Sequence, residues 1–125
     1  MNLTRLALLT MLASALCAQD LSGSYRGTIK VEEGDDSRTI RGLIIIKENN
    51  GTLTISAGPD PTEQFPAYSV QRNGSTIKFT VTDRADIPRK LTFDLTVKED
   101  LLSGKVTIVE GDGRLQTGTL EFKKQ

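Results

Sequence analysis

Beyond its first twenty residues the chain reads as an all-β domain, an antiparallel meander of about eight strands closed into a barrel, with a two-sheet β-sandwich as the alternative. Apolar and polar residues alternate over short runs, the period of half-buried strands. Turn signals rich in Gly, Asn and Asp separate these runs, so consecutive strands fall side by side. No segment after residue 20 carries a competing helical period. Eight twisted strands left open would expose two edges; rolling them up removes both and leaves an interior wide enough for side chains or one small ligand.

The N-terminal stretch MNLTRLALLTMLASALCA has one positive charge at Arg5, an apolar core from Leu6 to Leu16 and small residues after it. That is the layout of a secretory signal peptide, and it is too short for a membrane span, which needs about 20 apolar residues. Residues 1–18 are therefore expected to be a signal peptide and residues 19–125 a single exported domain, periplasmic or secreted. Cys17 invites a lipoprotein reading, but Leu16 stands where such signals take a small residue.

In the first strand Tyr25, Ile29 and Val31 share one face and Arg26, Thr28, Lys30 and Glu32 the other. The second runs from about Arg38 to Glu48 and contains LIII, Leu43 to Ile46, apolar on both faces. One of those faces needs cover, from the GPDPTEQFP segment, from the N-terminal segment or from a partner protein bound through Ile44 and Ile46. Leu53 and Ile55 continue the alternation after an ENNGT turn. The prolines of AGPDPTEQFPAYSV predict a loop running into a short edge strand, Ala67 to Val70. After an Asn-Gly hairpin turn, Ile77, Phe79 and Val81 alternate with polar neighbours. Leu91, Phe93, Leu95 and Val97 do the same, and strands at Lys105 to Glu110 and Arg114 to Lys123 close the domain.

DLSGSYRG at residues 20–27, LSG at Leu102 to Gly104 and GTLEF at Gly118 to Phe122 resemble the opening and closing hairpins of small exported bacterial β-barrels of calycin or lipocalin type. The resemblance implies a calycin-like barrel able to hold a small apolar ligand, with an arginine or lysine near the last strand, Arg114 or Lys123, packed on the first-strand aromatic. Tyr25 stands where calycins usually have Trp, and Thr82-Asp83-Arg84 only echoes their Thr-Asp-Tyr motif.

The chain contains no histidine, which excludes a Ser-His-Asp triad and a histidine general base. Its one cysteine lies in the signal segment. Paired carboxylates are the remaining catalytic option, but Asp60, Asp83, Asp86 and Asp112 fall at turns, where Asp bonds nearby backbone. Lys and Arg number 16 against 16 Asp and Glu, so no basic surplus recruits nucleic acid. The expectation is a non-catalytic binding module without cofactor or metal. Tyr25, Arg41, Tyr68, Phe79 and Phe93 are its candidate ligand residues, Arg41 only if its register turns it inward. A filled barrel acting as a protein-interaction or inhibitor-type envelope protein is the alternative.

Overall fold

The computed structural model describes residues 20–125; the expected signal segment and Cys17 lie outside them. The described residues form nine strands and no helix. In chain order these are β1 (Gly23–Glu33), β2 (Asp36–Asn49), β3 (Thr52–Asp60), β4 (Glu63–Pro66), β5 (Tyr68–Asn73), β6 (Thr76–Thr82), β7 (Lys90–Lys98), β8 (Leu101–Val109) and β9 (Leu115–Lys124). One antiparallel sheet holds them in the order β4-β3-β2-β1-β9-β8-β7-β6-β5. Every strand but those at the seam pairs with its sequence neighbours, and β1 pairs with β9, which rolls the meander into a nearly closed barrel.

The ninth strand arises where the sequence predicts a loop. β4 and β5 run in the same direction and are separated only by Ala67, so they are two halves of one strand. The first half pairs with β3 and the second with β6. Ser69, in the left-handed region at φ 54°, marks the register shift after the break. The prolines fit because of where they fall: Pro59 lies in a β3 bulge. The Ala67 amide donates to the Ile55 carbonyl at 2.8 Å, which turns the Pro66 nitrogen away from β3, where a missing N–H breaks no ladder bond.

Side-chain alternation sorts the interior as the sequence predicts. Tyr25, Ile29, Phe79, Val81, Phe93 and Leu95 are buried in one core, with Leu91 half-buried against it. Phe79 and Phe93 stack with centroids 4.9 Å apart, a geometry that adds to the area they bury. The β2 register corrects the proposed partner face: Ile44 and Ile46 are each 1% exposed and point into the core, so they offer no docking surface. Their neighbour Leu43 faces the other way and is itself buried, and the β3–β4 hairpin is bonded to its backbone. Gln64 Nε2 donates to the Leu43 carbonyl (3.2 Å), and Ser56 Oγ donates to Gln64 Oε1 (2.7 Å). A Cβ at Gly58 would collide with the Glu63 carbonyl oxygen, so glycine is what lets this hairpin fold so tightly.

The end of the barrel that carries both described termini is sealed. Leu21 is 1% exposed, its carbonyl accepts the Tyr25 hydroxyl proton (2.9 Å), and its amide donates to Glu48 Oε1 (3.0 Å). The same carboxylate oxygen takes Arg72 Nη1 at 3.1 Å, and the Glu48 amide donates to Ser22 Oγ at 2.9 Å. Arg72 on β5 and Glu48 on β2 thereby bridge the lower seam, where β5 leaves β3 unpaired. Burial raises the Tyr25 phenol above its ordinary 10.0, with the nearby Asp100 and Asp20 charges acting in the same sense.

Phe79 is fully buried at the stack. Truncating it to alanine should cost about 3–5 kcal/mol in urea unfolding; a loss below about 1 kcal/mol would place this ring outside the core.

Candidate functional site

With the lower end filled by Tyr25 and Leu21, free space remains in the upper half. A cavity of about 300 Å³ opens at the end carrying the β1–β2, β3–β4, β6–β7 and β8–β9 turns. Three phenylalanines shape it: Phe65 from β4, Phe93 from β7 and Phe122 from β9. Ile29, Ile44, Ala57, Val81 and Ile108, all buried, complete the apolar wall. Gly42 contributes by lacking a side chain, since a Cβ there would stand 2.8 Å from Phe122 Cζ. The opening lies beside the upper seam, where β4 pairs only with β3 and leaves the top of β6 unaccompanied.

Polar groups line only the rim. They are Arg41, Glu63, Asp83, Arg84 and Arg89. The loop between β6 and β7, residues 83–89, is tied by one carboxylate: Asp83 Oδ1 accepts the Arg89 amide (2.9 Å) and the Ala85 amide (3.3 Å), and Oδ2 accepts Arg89 Nε (2.7 Å). The Asp83 amide in turn donates to the Arg89 carbonyl at 3.0 Å. Burial opposes the Asp83 charge, but the Arg89 amide, the Arg89 guanidinium and the Ala85 amide outweigh it, holding its pKa below the ordinary 3.8. Arg84 projects from this loop, exposed, and neither it nor Arg41 has an ion-pair partner among the described residues.

The candidate residues read from the sequence separate into distinct places. Phe93 lines the cavity. Arg41 belongs to its rim but on the outward face of β2, exposed and opposite Thr28, so its register does not turn it into the barrel. Tyr25 seals the lower end, and Phe79 backs Phe93 through the stack without lining the cavity. Tyr68 is 44% exposed and bonds Thr82 Oγ1 at 2.9 Å on the outer wall, because the bulge beside it turns that position out. The basic residue opposite Tyr25 is Lys124, one position beyond Lys123, while Arg114 pairs with Asp112 in the β8–β9 turn.

Among the site residues that sequence reasoning missed are Phe65, Phe122 and Arg84, along with Ala57 and Ile108 of the wall. Phe122 was legible, since Leu120 and Phe122 alternate with Thr119, Glu121 and Lys123 in the last strand. Phe65 was hidden between prolines. Arg84 enters the sequence reading only as the third residue of the Thr82-Asp83-Arg84 echo, which carries no ligand contact.

The turn role expected of the acidic residues holds at three positions. Asp60 accepts the Thr62 and Glu63 amides, Asp83 ties its loop, and Asp112 accepts the Arg114 amide. Compared with known proteins, the chain matches no family model, no curated protein and no solved structure.

Removing the loop clamp by Asp83→Ala should cost about 1–3 kcal/mol at neutral pH, since it strips the acceptor from three donors. The folded-state pKa is depressed, so this contribution is present above the unfolded value of roughly 3.9 and disappears as pH falls through the folded one. Urea unfolding of both proteins should show a stability gap at pH 7 that narrows in acid; a gap that widens in acid would reverse the assignment.

Proposed function

We propose that this protein is an exported, non-catalytic binding module that takes a small apolar or amphipathic molecule into the upper end of its barrel. One observation carries the reading: a cavity of about 300 Å³ with an apolar wall and polar groups confined to its rim. Ligand sites are concave, mostly apolar and about 300–1,000 Å³, with a few polar groups that fix orientation. A barrel whose only purpose was structural would gain stability by filling that space, because voids forfeit packing energy.

The calycin-like resemblance of the opening and closing hairpins supports the same reading, and so does the signal-peptide-like layout of residues 1–18. The interaction-protein alternative loses its stated surface, since Ile44 and Ile46 are interior. A hydrolase reading is weaker still. Asp60, Asp83 and Asp112 are occupied by turn amides, and Asp94 lies on the outer face among polar neighbours.

Ala57, 5% exposed and on the cavity wall, gives the test. Ala57→Leu adds volume inside the cavity at an overpacking cost of about 1–3 kcal/mol. An environment-sensitive aromatic probe should bind the wild-type protein and lose on the order of tenfold or more in affinity to the folded variant. Equal binding to both proteins would place the probe outside the barrel and remove the proposal.

A further inference from the structure

The cavity and its rim differ sharply in chemistry. Its wall offers no side-chain hydrogen-bonding group, so whatever is buried there must be hydrocarbon or aryl, because an unpaired polar group would lose its hydration without compensation. At the rim, Asp83 and Arg89 neutralise each other. What remains is one acid, Glu63, against two arginines, Arg41 and Arg84, that have no ion-pair partner among the described residues. The clamp on Asp83 fixes the loop that presents Arg84, so that charge is held near the mouth.

Size sets a second limit. At roughly 30 Å³ for each water-sized group, a space of about 300 Å³ accepts no more than about ten methylene-sized groups. Tyr25 and Leu21 block extension through the lower end.

Resting on the binding reading above, we propose that the ligand is a short anionic amphiphile, with a tail of no more than about ten carbons in the cavity and a carboxylate or similar anion at the rim, where Arg84 selects it. Arg84 is the specificity-determining residue, because an arginine fork meets a carboxylate with charge-assisted hydrogen bonds that an alcohol or an amine cannot reproduce.

Calorimetric titration of the purified protein with hexanoate, octanoate, decanoate, hexadecanoate, 1-octanol and octylammonium tests both limits. Affinity should rise from hexanoate to decanoate and fall at hexadecanoate. Octanoate should bind on the order of tenfold more tightly than 1-octanol, and that advantage should vanish in Arg84→Gln, while 1-octanol binding stays unchanged. Arg84 is exposed, and circular dichroism verifies that the variant keeps the strand fold.

Equal binding of octanoate and 1-octanol, or preference for octylammonium, would overturn the anion assignment and leave the apolar binding site standing. Undiminished binding of hexadecanoate would overturn the size limit. Failure of every probe to bind would overturn this proposal and the binding reading together.

Discussion

Ala67 divides one strand between two partners, and the barrel takes its form from that division. A strand paired along its whole length with both β3 and β6 would close the sheet completely. Residues 63–73 instead give their upper half to β3 and their lower half to β6. The unpaired edges this creates are short, and each is protected. Pro66 withholds a donor at the upper seam, and the Arg72–Glu48 ion pair spans the lower one. Short, proline-blunted edges are how sheets avoid pairing with other chains, so the seam provides an opening without providing a template for strand addition.

The two ends of the barrel follow from different solutions to the same packing requirement. At the lower end, Asp20–Ser22 cross the opening and Leu21 enters the core, anchored by hydrogen bonds to Glu48 and Tyr25. At the upper end the covering loop is held by Asp83 to its own residues, without a side chain that descends to fill the core. The remaining space is bounded by Phe65, Phe93 and Phe122 and edged by charge. A proposed ligand would supply the packing that the upper loop does not, which ties the functional reading to the energetics of the fold.

The architecture was largely legible because period-two alternation and Asn-Gly turns report local physics directly. Asn50 at φ 54° and Gly51 at φ 82° adopt the left-handed turn expected of that pair, whereas the Asn-Gly turn expected before β6 is shifted by one residue: Asn73 pairs with Thr76, so Gly74 and Ser75 are its central residues and only Gly74 is left-handed. Facing was legible wherever one side of a strand is polar, as for Phe79, Phe93 and Leu95. It failed at Leu43 to Ile46, where both faces are apolar and only the register with β1 shows which pair is interior. The proline-rich segment misled for a related reason: proline forbids a central strand but not a seam edge or a bulge, and a seam is a property of the closed sheet. The site was less legible than the fold, since Arg41 and Arg84 meet the rim from a strand and a distant loop, and only closure assigns them to the same cavity.

The account depends most on an apolar space at the upper end of an otherwise packed barrel. A crystal of the protein pressurised with xenon measures this directly, since xenon enters apolar cavities without needing polar contacts. The account predicts a strong anomalous peak among Phe65, Phe93 and Phe122 and none beside Tyr25. A barrel whose upper core is closed over by these rings, with xenon absent or bound only on the surface, would contradict it.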